Sequence, residues 1–521
     1  MQRFVVGSSS PLAYRRLAVL LALLGTACAR APRRAADTSG VTFVHVNDIY
    51  VVDTLRDGSG GLARVAALRD SLAARAPGSV LLTFGGDLLG PSLLSKWYSG
   101  AQMIEALSAA GVRYAVLGNH EFDYGARVLR ERLAASPFRW LSANCAQVDG
   151  TPLPNVRGWD TLTVGGVRVG IFGVTIVSEY GSAGRCREED VAARAAVDTL
   201  VAVGAQQIVA LTHRYVHEDV AMLAADPRIR MVLGGHEHEE HRDTVPGGRL
   251  VLKAASNARS AWVVRIDGAG RLRDTLVRMQ PGAPFQPATA AVVARWRDTL
   301  ARRIGPDRVV ARTAAVIDAV DSTSRNGESI LGALVADAVR YGLGVDIGMV
   351  NSGTLRYDDY LGPGEITRQQ LESIFLFADE TRVVSFPISG ARLRDLLEHS
   401  VNARNLGGGG SVQVSGVRVR YDPTRPPGSR IVGAIERDNG AVIAGSDTVR
   451  LAFTAYLACR GGDGYRIPEA ASACAALQAD ATSAPRVVDL LIAHLEQRLG
   501  GVVRSPVMGR IGPVARPDSL E

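Results

Sequence analysis

The sequence predicts an α/β domain over residues 41–285 and, after a connecting helix, an α+β domain over 313–513. Three observations predict it. Between 41 and about 270, short apolar runs alternate with amphipathic stretches, the pattern of βαβ units around a buried sheet. Most of these runs stop at a polar, metal-competent residue, as strand ends lining one crevice would. Past residue 305 the alternation gives way to a helix, a turn-rich stretch and scattered strand-like runs, which reads as a separately packed unit. A chain of 521 residues is too long for one ordinary core, so two or three domains are expected.

Residues 1–31 have the layout of an export signal: Arg3, Arg15 and Arg16 precede the apolar run LAVLLALLGTA, which ends in TACARA. The run is too short to remain as a membrane span. Cys28 is either a lipid-acceptor cysteine, since LGTAC loosely resembles a lipobox, or lies beside a cleavage point near Ala29 or Ala31. Export to a periplasm or cell envelope means an oxidising compartment. There Cys145, Cys186, Cys459 and Cys474 can form two disulfides in three connectivities, and Cys459 with Cys474 is the pair we expect. No CxxC pair is present to hold a metal through sulfur. The net charge of +7 rests on scattered arginines, with lysine only at Lys96 and Lys253, so no basic block marks a nucleic-acid surface. Neither lysine stands in a GxxxxGK[ST] sequence, which excludes a P-loop enzyme.

In the first domain VTFVHV leads into NDIY, SVLLTF into GGDLL, YAVLG into GNHEFD, QQIVAL into THRYVH and RMVLGG into HEHEEH. Asp48, Asp87, Asn119, His213, His236 and His238 make a mixed oxygen and nitrogen donor set suited to first-row divalent metals. One Asp after a strand is usually a cap, and one His usually a satisfied polar group. Five strand exits agreeing argue instead for one metal site. Strand alternation would place Asp48 and Tyr50 on one face, and His236 and His238 likewise. The two glycines before Asp87 allow a tight turn from which its carboxylate could bridge two ions. Two cations about 4 Å apart can activate a water and clamp phosphoryl oxygens. Beside Asn119, the His120 and Asp123 pair would present an imidazolium where transition-state charge develops.

The connecting helix, TAAVVARWRDTLARRIG, is expected at about 289–305 within a linker of 286–312. A further helix is expected at about 328–341, followed by the turn-rich NSGTLRYDDYLGPG and by strand-like runs such as VRVRYDP. The low-complexity tract GGGG at 407–410 stands alone, and the tail 514–521 is expected to be disordered.

The set VNDIY, GGDLLG, GNHEFDYG, LTH and GGHEH resembles the calcineurin-like metallophosphoesterases. With the C-terminal segments, residues 41–512 resemble the secreted two-domain 5'-nucleotidase family. The resemblance implies a four-layer αββα metallophosphoesterase domain and a C-terminal α+β nucleotide-binding domain. It implies two divalent ions such as zinc, manganese or cobalt. One would be held by Asp48, residue 50, Asp87 and His238, the other by Asp87, Asn119, His213 and His236, with His120 and Asp123 serving the phosphoryl group. It also implies a 5'-nucleotide substrate. In SRNGESILGALVADA and NSGTLR, Arg325 and Arg356 match phosphate contacts and Asn351 a base contact. Phe377 in FLFADE and Tyr456 in YLACRGGDG match rings that sandwich the base, and Asp463 matches a carboxylate on the ribose. Arginine forks suit phosphate oxygens and ring faces suit bases, so the chemistry agrees. The implied activity is hydrolysis of 5'-nucleotides to nucleoside and phosphate, extending to nucleotide sugars or nucleoside di- and triphosphates.

The chain departs from the family at Tyr50, where histidine is usual, at Ala333, where a polar or basic residue is common, at FADE, and in a loop before GGDG that is one residue longer than in the animal enzyme. Tyr50 could ligate as a phenolate to oxidised iron, hydrogen-bond a metal water, or leave a weakly filled, water-completed site. The last is the expectation, because a phenol with a pKa near 10 gives up its proton less readily than histidine offers a lone pair. Other readings of the same residues are hydrolysis of 2',3'-cyclic nucleotides or of a sulfur ester, and a non-catalytic nucleotide-binding protein with a decayed metal centre.

Overall fold

The computed structural model describes residues 40–514 apart from 56, 306, 378–381 and 403. The expected export signal with Cys28, most of the FADE turn and the tail beyond Val514 lie outside the described residues.

The first domain holds two sheets. The seven-stranded one runs, in spatial order, Leu272–Arg278, Ser260–Asp267, Gly40–Val46, Val80–Phe84, Val112–Val116, Arg139–Leu141 and Val156–Arg157. From Gly40–Val46 onward its neighbours are parallel. The six-stranded one runs His241–Val245, Arg249–Lys253, Ile229–Gly235, Gln207–His213, Val167–Thr175 and Trp159–Val164. Alternation along Gly40–Val46 shows how the layers form. Val41 and Phe43 point into a core shared with Val169, Val209, Leu211, Met231 and Leu233 of the other sheet. Val44 and Val46 point the other way, under helices Leu62–Arg75 and Ala101–Ala110. Helices Glu189–Ala202 and Val216–Ala225 cover the outer face of the second sheet. Sheets buried on both faces explain why the strands read as near-continuous apolar runs. The four layers αββα are those expected.

The connecting helix spans Pro287–Ile304, opened by proline in its first turn and by Gln286, whose side chain accepts from the Thr289 amide at 2.7 Å. It packs on helices Leu62–Arg75 and Ala101–Ala110, and the Trp296 indole donates to Glu105 at 2.8 Å. The second domain is built on a four-stranded sheet in the order Val383–Ser389, Thr448–Thr454, Ile347–Asn351 and Val412–Ser415. Helix Ile330–Leu343, capped by Ser329, lies between that sheet and helix Val487–Ala493. Cys459 pairs with Cys474, as expected, and Cys145 with Cys186. Among the described residues no helix is long and apolar enough to cross a membrane.

Candidate metal centre and substrate cavity

The strand ends converge on one point between the domains. Asp48 and Tyr50 lie past the end of Gly40–Val46, and His236 and His238 past the end of Ile229–Gly235. Strand alternation is therefore not what aligns them. Positive φ at Asp48 (50°), Asp87 (59°), His236 (95°) and His238 (66°) turns the chain sharply instead. Left-handed backbone at non-glycine residues is unfavourable, and four instances around one point mark a functional site. The glycines permit the approach: a Cβ on Gly86 would stand 2.5 Å from His213 Nδ1, and one on Gly118 would stand 2.2 Å from Asp87 Oδ1.

Around one centre, ligand atoms of Asp48, Asp87 and His238 all lie within 4.8 Å of one another. The Tyr50 hydroxyl sits among them, 3.3 Å from Asp48 Oδ1, 3.1 Å from Asp87 Oδ2 and 3.0 Å from His238 Nε2. On the other side of Asp87, His213 Nε2 is 3.2 Å from Asp87 Oδ2 and 3.2 Å from Asn119 Oδ1. His213 donates from Nδ1 to the Gly85 carbonyl at 2.8 Å, which turns its Nε2 lone pair toward that centre. The His236 ring stands edge-on to that of His213, with centroids 5.2 Å apart, and its amide donates to Asp48 Oδ2 at 2.9 Å. Asp87 stands between the two groups, where a bridging carboxylate belongs.

The donor set fits cations. Asp48 and Asp87 are buried, and among the described residues neither is paired with arginine or lysine. A buried carboxylate without a positive partner is costly. Without an ion the neighbouring histidines take up the charge: burial opposes protonation of His213, yet Asp87 and Asp48 push it up to about 10. Burial, Asp87 and Asp48 together raise the Tyr50 phenol well above its ordinary value. Glu121, buried behind the Asp87 loop, accepts from the amides of Asp87, Leu88 and Leu89 at 3.0, 2.6 and 3.0 Å. It fixes the turn that carries the Asp87 carboxylate.

A cavity of about 850 Å³ opens over this cluster, lined from the first domain by Asp87, Asn119, His120, His236 and His238 and from the second by Asp321, Arg325, Arg356 and Asp358. His120 holds Asp123 at 2.7 Å through Nδ1, and Arg356 Nη2 donates to its Nε2 at 3.1 Å. Burial works against a charged His120, but the Asp123 and Asp87 carboxylates outweigh it and raise its pKa. Asp321 draws the two arginines together, 2.9 Å from Arg356 Nη1 and 3.2 Å from Arg325 Nη2. Asp358 reaches across the domain boundary: its Oδ2 lies 3.3 Å from His238 Nδ1 and accepts from the Ser256 hydroxyl at 2.9 Å.

The expected base-binding residues stand apart from that lining. The Phe377 ring is 6.3 Å from the His120 ring, tilted by 31°. Tyr456 packs against Gly462, where a Cβ would come within 2.3 Å of its ring. Asp463 adopts φ 51°, and its carbonyl lies 2.9 Å from His399 Nε2. Asn351 is buried, its amide oxygen accepting from Thr354 at 2.7 Å and Thr454 at 2.9 Å. Its amide nitrogen donates to the Gly409 carbonyl at 3.4 Å. The glycine run 407–410 joins these pieces: Gly407 N donates to the Arg325 carbonyl at 3.1 Å and Gly353 N to the Gly409 carbonyl at 2.8 Å. A Cβ on Gly410 would stand 2.8 Å from that of Asp463. Sequence reasoning passed over Asp321, Asp358, Glu121 and the role of this run, although four consecutive glycines were a visible signal.

A family model for calcineurin-like phosphoesterases matches residues 41–240, and one for the 5'-nucleotidase C-terminal domain matches residues 309–470. The chain is 28% identical over 464 residues to a 5'-nucleotidase of Diplobatis ommata, covering 79% of each chain. It superposes on a 5'-nucleotidase precursor from Thermus thermophilus with a TM-score of 0.78 and 25% identity, over 92% of this chain and 100% of that one. A sulfate thiohydrolase from Thermus thermophilus shares the fold, with a TM-score of 0.72 at 19% identity over 92% of this chain and 98% of that one. Carrying a calcineurin-like phosphoesterase domain and a 5'-nucleotidase C-terminal domain in this order on one chain, with candidate metal ligands at the strand ends and an arginine-lined cavity between them, the protein is similar along both domains to the 5'-nucleotidases.

Proposed function

We propose that the protein hydrolyses 5'-nucleotides to nucleoside and phosphate in the cavity between its domains. The observation that carries this reading is that Arg325 and Arg356 of the second domain face the carboxylate and imidazole cluster of the first across one cavity. Asp48, Asp87 and His238 would hold one ion, joined by residue 50, and Asp87, Asn119, His213 and His236 the other. When bound, such ions supply an activated water and neutralise phosphoryl charge. The remaining work falls to side chains. The Arg325 and Arg356 guanidiniums clamp phosphate oxygens, and Asp321 keeps the two forks adjacent. His120 Nε2 and Arg356 Nη2 meet at 3.1 Å, so an anionic oxygen entering between them accepts a hydrogen bond from each. Asp123 holds the Nδ1 proton and stabilises the imidazolium as charge builds on the phosphoryl group. Phe377 and Tyr456 offer faces to the base and Asp463 a carboxylate to the ribose. Asn351 supports the glycine loop on which these groups rest.

Residues 1–31 act as an export signal in this reading, and the two disulfides support an oxidising destination such as the periplasm. Mass spectrometry of the purified chain decides between cleavage and a lipid on Cys28. Phosphate release by wild type beside His120→Ala tests the activity. Equal release by both removes His120 from the mechanism.

A further inference from the structure

Tyr50 poses a problem of hydrogen bonding. Its hydroxyl carries one hydrogen, yet two carboxylate oxygens and an imidazole nitrogen close on it: Asp48 Oδ1 at 3.3 Å, Asp87 Oδ2 at 3.1 Å and His238 Nε2 at 3.0 Å. His238, whose Nδ1 faces Asp358 at 3.3 Å, points its Nε2 at the Tyr50 oxygen. One hydroxyl proton cannot serve both carboxylate oxygens, so at least one of them faces the phenol oxygen without a hydrogen between. A cation at their centre removes the conflict. The spacings agree, because donor atoms that share one ion at about 2.0–2.1 Å stand about 3–3.5 Å apart along the edges of their shell. The three Tyr50 contacts and the 3.5 Å between His238 Nε2 and Asp48 Oδ1 are such edges.

We propose that Tyr50 ligates as a phenolate and that Asp48, Tyr50, Asp87 and His238 select a trivalent hard cation, ferric iron, beside a divalent ion held by Asp87, Asn119, His213 and His236. The inference rests on the metallophosphoesterase reading of the cluster. On ligation the phenolic proton passes to solvent as the oxygen bonds the ion, and no electron moves. The first position then offers three oxyanions and one imidazole, and the second offers one shared carboxylate, one amide oxygen and two imidazoles. Hard, charged oxygens favour the more highly charged ion, and the more neutral, nitrogen-rich set suits a divalent one. In place of the weakly held site expected from the sequence, this position becomes the tight one for ferric iron.

The test needs no substrate, so its outcome is independent of any nucleotide assay. The full chain is stripped with a chelator, loaded with ferric nitrilotriacetate and zinc, desalted, and examined by elemental analysis and visible spectroscopy. We expect retained iron and a broad phenolate-to-iron absorption band that is lost in Tyr50→Phe and in Tyr50→His, the latter taking up divalent ions instead. Retained iron without a visible band, a band that survives in Tyr50→Phe, or failure to retain ferric iron overturns the proposal. If Tyr50→Phe does not fold, Tyr50→His and the resonance Raman ring modes of the wild-type band decide.

Discussion

Asp358 allows the coupling between the domains to be measured. Its carboxylate comes from the second domain, yet it takes the Nδ1 proton of His238 at 3.3 Å and a hydrogen bond from Ser256 at 2.9 Å in the first. Burial would raise its pKa, but the bonds to His238 and Ser256 and the nearby Arg259 hold it well below the ordinary carboxylate range. The contact also orients the imidazole, leaving Nε2 free to ligate. Removing such a supporting carboxylate typically costs about 10–100-fold in metal affinity, in line with about 1.5–3 kcal/mol for a hydrogen bond to a charged group. Asp358→Ala is therefore expected to weaken binding at the His238 position by about tenfold or more, with Asp358→Asn in between because its amide oxygen can still accept one bond. Competition titration against a chromogenic chelator reads the affinity directly, and thermal unfolding confirms that the variant is folded. Unchanged metal affinity in folded Asp358→Ala would falsify the claim that the second domain orients His238.

Three further outcomes follow from other parts of the fold. His45 is buried between Thr83 and the Gly234 carbonyl, and burial lowers its pKa from 6.5 to about 4, so the unfolded chain binds its proton first. Its share of stability is complete above pH 6.5 and is lost as pH falls toward 4, by about 3 kcal/mol at roughly 1.4 kcal/mol per unit. Urea unfolding of wild type and His45→Gln between those limits should show a shallower pH slope for the variant, and parallel slopes would contradict the assignment. The Cys459–Cys474 bond spans 15 residues, so Cys459→Ser with Cys474→Ser should cost about 3 kcal/mol in the same assay; no change in midpoint would show that the loop is held by packing alone. Phe377→Ala and Tyr456→Ala should each lower kcat/KM on a nucleoside monophosphate by about tenfold, from stacking worth about 1–3 kcal/mol, and leave a phosphate ester without a base unaffected. An equal fall on both substrates would place the rings in the fold rather than against the base.

The layered first domain was readable because strands buried on both faces leave long apolar runs, and their polar ends stand out against them. The candidate ligands were readable for the same reason. Its geometry was not: the sequence suggested that alternation aligns Asp48 with Tyr50 and His236 with His238, whereas left-handed backbone beyond the strand ends does so. Asp358 was hidden in NSGTLRYDDYLGPG, which reads only as a turn. Its partner Ser256 lies 102 residues earlier and in the other domain, so no local pattern could pair them. Asp321 was hidden for a related reason, since a carboxylate that holds two arginines looks like any helix-start acid until Arg325 and Arg356 are brought together.

The central claim is that one cavity joins a two-ion centre in the first domain to phosphate-binding arginines in the second. The most direct measurement is phosphate release from a panel of nucleoside 5'-monophosphates by the full chain, with and without added metal, for wild type and Arg356→Ala. The account predicts metal-dependent release by wild type and a loss of about 10–100-fold in Arg356→Ala, the size of a charge-assisted contact of about 1.5–3 kcal/mol. Absence of release from every nucleotide under every metal, or release by Arg356→Ala at the wild-type rate, would contradict it.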